Sequence, residues 1–167
     1  ETFGENMRVF APTDDTAAVE ADIAAAYEAS GQFSEARYAA FFKAGDYGDL
    51  ALEIRYYMTV GGLGAQPGDV RVASLDVPAQ LSNGNGTCNF WFAAENMRVT
   101  GDVNWVASQA TSFRRMQVDG DMQLTAGSSN SWGSGGFIAD SAVAGTIDAN
   151  VQQQWLTRNS AWGAWEG

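Results

Sequence analysis

The chain has 167 residues, of which 46% are hydrophobic, only 17% are charged and 19 are glycine; this is enough for one domain with a real core, and it is rich in turn formers. A net charge of −11 argues against nucleic-acid phosphate and anionic membrane surfaces as partners. With no histidine, any catalysis must rest on carboxylates, arginines, the single Lys43, tyrosines or hydroxyls.

No stretch reaches the ~18 consecutive apolar residues of a membrane span. The chain opens on Glu1 without an initiator Met or a basic-then-apolar leader, as expected of a processed or excerpted polypeptide. The lone Cys88 allows no internal disulfide, and its apolar setting reads as a small buried hydrophobe.

In chain order, Met7-Arg8-Val9-Phe10 reads as a strand. Residues 13–30 read as a helix: Thr13 or Asp14 caps it, acids fill its first turn, Gly31 closes it, and Val19, Ile23, Ala26 and Tyr27 share one face. Such a helix is suited to covering the open end of a sheet. Arg37 to Tyr47 reads as a strand and turn, Leu50 to Gly64 as a second strand with a glycine corner, and Val70 to Val77 as a third strand. Asn83-Gly84-Asn85-Gly86 is a turn.

From Asn89 to Ser160 one short pattern returns. Val99-Thr100-Gly101-Asp102-Val103, Val118-Asp119-Gly120-Asp121-Met122 and Val143-Ala144-Gly145-Thr146-Ile147 share Val-x-Gly-x-apolar, with glycines 19 and then 25 residues apart. Val60-x-Gly62 resembles it loosely. A repeat of ~20–25 residues carrying alternating apolar and polar positions is the mark of a solenoid of short strands. The predicted fold is therefore all-β, a right-handed parallel β-helix with an N-terminal capping helix. It forms a single domain over residues 1–167, with its clearest coils at 89–160. A Gly/Ser loop at 126–136 accounts for the longer spacing. The last segment starts another coil without reaching a further Val-x-Gly, so a portion of a longer solenoid is expected, its C-terminal end covered by remaining coils or by a partner chain.

Several motifs are familiar together: Tyr38-Ala39-Ala40-Phe41-Phe42-Lys43-Ala44-Gly45-Asp46-Tyr47, Tyr57-Met58-Thr59-Val60-Gly61-Gly62-Leu63-Gly64, Phe92-Ala93-Ala94-Glu95-Asn96, Ser134-Gly135-Gly136-Phe137-Ile138-Ala139-Asp140-Ser141 and Gln152-Gln153-Gln154-Trp155-Leu156-Thr157-Arg158-Asn159-Ser160. Across the whole chain this resembles pectate-lyase-like right-handed β-helix proteins. Within them it is similar to secreted bacterial members loosely called "adenylyl cyclase" or "coagulation factor 5/8 type domain protein". The resemblance implies a secreted, polysaccharide-active protein of hydrolase or lyase type. It carries over no catalytic motif and no resident cofactor.

Aligning the repeats stacks Glu95 on Arg114 and Arg115 on Asp140, pairs that support a ladder by roughly 0.2–1 kcal/mol each or form an Arg/acid site. Asp102 stacks on Asp121. Like charges one rung apart splay into water, share a proton or bind a cation, so this pair reads as a solvated corner, a Ca²⁺ site or a glycosidase couple. The candidate catalytic residues are Asp102, Asp121 and Asp140. Trp132, Arg158 and Trp162 are candidates for stacking on and hydrogen bonding to a sugar, while Phe92, Phe137 and Trp155 are expected as an interior aromatic stack. Two functions stay open: a secreted glycoside hydrolase or lyase, and a non-catalytic carbohydrate-binding or structural β-helix such as an adhesin or spike segment.

Overall fold

The computed structural model describes residues 3–127 and 131–167; residues 128–130 of the expected loop lie outside that range. The chain winds into a parallel β-solenoid of about six coils with one helix among the described residues. After β1 (Met7–Phe10) and α1 (Thr16–Ala29), the first coil holds β2 (Tyr38–Phe42), β3 (Gly45–Asp46) and β4 (Ala51–Glu53). The next holds β5 (Met58–Gly62), β6 (Val70–Val72) and β7 (Ser74–Val77). Then come β8 (Ala93–Glu95), β9 (Arg98–Val99) and β10 (Val103–Trp105), followed by β11 (Ser112–Arg114), β12 (Gln117–Val118) and β13 (Met122–Gln123). In the last two coils the second and third strands run together as β15 (Ala142–Asp148) after β14 (Gly133–Ala139), and as β17 (Ala161–Glu166) after β16 (Gln152–Arg158).

One wall is the seven-stranded sheet β1-β2-β5-β8-β11-β14-β16, and the remaining strands form a bent second sheet. Alternation along each short strand fills the interior. Ala40, Val60, Ala94, Phe113 and Ile138 fall in one register column, and Val72, Val99, Val118 and Val143 in a second. Leu52, Leu75, Val103, Met122 and Ile147 make a third. All are buried, and each large side chain withdrawn from water contributes roughly 1.5–3 kcal/mol. The interior aromatic stack is Phe92–Trp105–Phe113, with ring centroids 4.9 and 5.0 Å apart. Of the expected trio only Phe92 belongs to it. Phe137 is the neighbour of inward Ile138, so the pleat turns it outward opposite Leu156; Trp155, in register with Gly136, packs against the core as expected without joining the ring stack.

Between the second and third strands of a coil the backbones of successive coils come very close. Gly101 N–H donates to Ala73 O at 2.9 Å, Gly120 N–H to Gly101 O at 3.2 Å, and Gly145 N–H to Gly120 O at 3.1 Å. The three glycines therefore form one ridge, as their spacing predicts. They are required for space: a Cβ on Gly120 would stand 2.8 Å from Gly101 O, and one on Gly145 2.7 Å from Gly120 O. Gly62 does not belong to the ridge. It pairs with Phe42 in the first sheet, and Ala73 fills the ridge position of that coil.

The helix covers the first coil, with Val19 and Ile23 in the same core as Phe10, Phe42, Leu50 and Leu52. Its cap is Asp15, whose carboxylate accepts Ala18 N–H at 2.9 Å; Asp14 instead accepts Ala11 N–H in the preceding turn. The first turn holds no acid. Buried Ser30 closes the helix before Gly31, its N–H reaching Ala26 O and Tyr27 O. Glu20 accepts Ala51 N–H at 3.0 Å, satisfying an edge amide of β4. No helix among the described residues is long and apolar enough to cross a membrane.

Gly120→Ala should lower stability by about 1–3 kcal/mol, because the new methyl meets backbone. Gly31→Ala, with nothing within 4 Å of its Cβ, should leave it unchanged or raise it slightly. Urea unfolding of both variants checks the contrast.

Candidate functional site

The stacked aspartates sit one residue past the ridge glycines, as the alignment predicts. Asp102 Oδ1 accepts Asp121 N–H at 2.8 Å, and Asp121 Oδ1 accepts Thr146 N–H at 2.7 Å. Each carboxylate thus commits an oxygen to the backbone of the next coil. That engagement ties each carboxylate to the next coil and braces the tightest part of the ladder. Among the described residues no group of three or more Cys, Asp or Glu is placed to hold a metal ion.

Asp140 lies at a different corner, where the chain leaves the seven-stranded sheet. Asn96, Arg115, Asp140 and Asn159 occupy this corner in successive coils, all with φ between 51° and 59°. Asn and Asp tolerate that left-handed backbone better than other side-chain-bearing residues. The side chains connect coil to coil: Asn96 Nδ2 donates to Gly62 O and Gly64 O, Arg115 donates to Asn96 Oδ1 and Ala65 O, and Asn159 Nδ2 donates to Asp140 Oδ1 at 3.1 Å. One residue earlier, Arg114 meets Glu95 at 3.1 Å as predicted, and its Nε lies 3.7 Å from Asp140. Arg115 stacks one coil from Asp140 along the backbone, but its guanidinium turns to the preceding coil, so Arg114 takes the Asp140 carboxylate. Exposed Arg158 continues the Glu95–Arg114–Ala139 column.

The result is a polar strip of alternating carboxylates, guanidinium groups and amides. It unites two of the predicted residues, Asp140 and Arg158, with Glu95, Arg114, Arg115 and Asn159, and it can exchange hydrogen bonds with several hydroxyls at once. It does not include Asp102 and Asp121, which are one short strand away. Trp132 is exposed in the loop before β14. Trp162 shares the register of buried Val143, and its ring lies 5.3 Å from that of Trp165, itself in register with Ile147. Trp162 therefore lies over the interior columns of the last coil.

A second acidic stack was not visible from the repeat. Glu53 and Asp76 are paired in register on β4 and β7. Burial raises both carboxyl pKa values; Glu53 is pushed further by the Asp76 charge, and Asp76 is partly compensated by a hydrogen bond with Asn104. Both face a hollow of about 370 Å³ shared with Glu20, Tyr27 and Glu28 of the helix. Aromatic residues also gather at the corner that enters the seven-stranded sheet, where Tyr57 and Trp91 stack at 5.1 Å. Aligning the chain on the inward Val60 and Ala94, instead of on Val-x-Gly, would have revealed that pair.

No protein-family model matches the chain. It is 40% identical over 166 residues, 97% of its length, to an exo-β-1,3-glucanase of Streptomyces sp. (strain SirexAA-E / ActE). The solved structure of sacteLam55A from Streptomyces sp. SirexAA-E superposes on all of it with a TM-score of 0.92 at 37% identity. A variant of that protein in complex with glucose superposes on 99% of it with a TM-score of 0.90 at 38% identity. The chain spans 27% of the curated relative's length and 31% and 30% of the two solved chains. None of these relatives carries the looser names suggested by the resemblance above; what they share with this chain over its whole length is the parallel solenoid.

Two expectations follow from the geometry. Asp102→Ala should cost about 1 kcal/mol or more by orphaning Asp121 N–H, whereas Asp102→Asn keeps an acceptor and should cost much less; thermal melts distinguish them. Glu53 and Asp76 have folded pKa values above their unfolded ones, so folding favours their protonated forms and stability falls as pH rises above the ordinary carboxyl range. The double variant Glu53→Gln, Asp76→Asn should therefore melt higher than wild type at pH 7, with the gain vanishing near about pH 3.

Proposed function

We propose that this chain forms part of a polysaccharide-active β-helix protein of glycoside-hydrolase type that works on β-1,3-linked glucan from a chain end and releases glucose. The reading is carried by one observation: 40% identity, sustained over 97% of the chain, to an exo-β-1,3-glucanase. The near-coincident backbone and the glucose complex of the solved relative support it. In such a reaction water is added across the glycosidic bond, with one carboxyl protonating the leaving oxygen and a second carboxylate acting as base or nucleophile.

Within this reading, Asp140 and Arg158 contact the glucan through the polar strip, where Glu95, Arg114 and Asn159 hold them in register. Asp102 and Asp121 contribute the bracing of the ridge. Trp132 offers an exposed ring for stacking, whereas Trp162 packs beside Trp165 over the interior columns of the last coil. A polymeric glucan does not enter cells, so the proposed place of action is extracellular.

The test is product analysis with the full polypeptide that carries this chain, incubated with a soluble β-1,3-glucan and, separately, with a β-1,4-glucan. Glucose should appear from the first and not from the second, and Asp140→Asn should raise KM about tenfold, the worth of one charge-assisted hydrogen bond. Absence of product from the β-1,3-glucan would contradict the reading.

A further inference from the structure

Beside the corner where each coil enters the seven-stranded sheet there is an open hollow of about 520 Å³, lined by Phe33, Ser34, Glu35, Arg37, Tyr57 and Trp91. We propose that it is a carbohydrate-binding shelf, separate from the polar strip, on which β-1,3-glucan pyranose rings stack; the choice of glucan rests on the function proposed above.

Three features of the hollow support this. First, the aromatic faces are open, with Phe33 72% and Trp91 42% exposed, where burial would be the default for such side chains. Second, they are held at a backbone cost. The register of this corner runs Tyr57, Trp91, Ala110, Gly135, Gln154, each with positive φ. Glycine or asparagine occupies such a position cheaply, whereas other L-residues lose roughly 1–2 kcal/mol. Two large aromatic residues in adjacent coils, at φ 59° and 60°, put rings where folding alone favours neither. Phe33, at φ 61°, stands in the neighbouring turn with its ring 6.2 Å from Trp91.

Third, the rings are fixed and fringed with hydrogen-bonding groups. Tyr57 and Trp91 stack at 5.1 Å with 23° between their planes, and the Arg37 guanidinium lies 3.6 Å from the Tyr57 centroid. Arg37 is itself held by Ser34 O and Ala36 O, and the turn that carries Phe33 is closed by Ser34 N–H to Gly31 O. A pyranose ring offers exactly the complement in general chemical terms: an apolar C–H face for the Trp91 and Phe33 rings and a rim of hydroxyls for Glu35, Arg37 and Ser34. Two rings on one ledge suit consecutive sugars of a chain better than a single free sugar.

Affinity electrophoresis of the full polypeptide through gels with and without dissolved β-1,3-glucan tests this. Trp91→Asn, chosen because asparagine accepts the left-handed backbone and so spares the fold, should weaken retardation about fivefold to tenfold. Trp91→Phe should retain most of the binding, and Phe33→Ala should act in the same direction as Trp91→Asn. Leu81→Ala, an exposed apolar residue that does not line the hollow, serves as the comparison, and a melting temperature for each variant confirms folding. If wild type is retarded and folded Trp91→Asn and Phe33→Ala are retarded equally, the shelf is no glucan site, although the proposed function stands. If wild type is not retarded by β-1,3-glucan and releases no glucose from it, the proposed function fails and the shelf proposal fails with it.

Discussion

The structure depends on how closely one backbone can lie on the next at the ridge. Parallel coils need an unbroken ladder of N–H to O=C bonds, and at the bend between the second and third strands the carbonyl of one coil faces the α-carbon of the following one. With Gly101, Gly120 and Gly145 there, the amide reaches the carbonyl below at 2.9 to 3.2 Å. A side chain at Gly101, Gly120 or Gly145 would meet the backbone of the coil below and force the coils apart at that edge; at the start of the ridge Ala73 stands in place of a glycine. The aspartates that follow add to the same constraint, since Asp102 and Asp121 each tie their carboxylate to the amide one coil on.

Once the coils are in register, residues far apart in sequence become neighbours at fixed offsets, and surface chemistry follows from the winding. The left-handed corner that leaves the seven-stranded sheet carries Asn96, Arg115, Asp140 and Asn159 and becomes a polar strip. The corner that enters the same sheet carries Tyr57 and Trp91 and becomes an aromatic ledge. Positive φ at both corners is a demand of the turn. Where the demand is met by Asn or Asp the residue is explained by the backbone, and where it is met by Trp or Tyr another cause is needed.

Much of the architecture was legible in the sequence because glycine is irreplaceable at close approach and strands alternate with period two. Three Val-x-Gly motifs therefore gave the coil, the ridge, the Glu95–Arg114 pair and the Asp102–Asp121 stack. Gly62 misled, since a Val-x-Gly in the wrong strand has the same letters but stands at a different corner. Phe137 misled because one position of parity turns a side chain from core to solvent: it stands six residues before Val143, in register with Ser112 and Ala93, whereas Phe92 stands seven before Val99. The helix cap is Asp15 and not the expected Thr13 or Asp14, because the Asp14 carboxylate is taken by the amide of Ala11 in the preceding turn. The aromatic ledge and the Glu53–Asp76 stack each involve the first two coils, whose ridges carry no Val-x-Gly, so their neighbours could not be counted off the repeat. The role of Asp102 as an amide acceptor was likewise hidden, because a carboxylate bound to a backbone N–H and one free to do chemistry are spelled identically.

The ladder itself is most directly tested by amide hydrogen exchange resolved to single residues. The account predicts that the amides of Gly101, Gly120, Asp121, Gly145 and Thr146 exchange together and slowly, as members of one cooperative unit. Fast exchange at Gly120 and Gly145, at rates like those of the turn amides around Asn83 and Asn85, would contradict it.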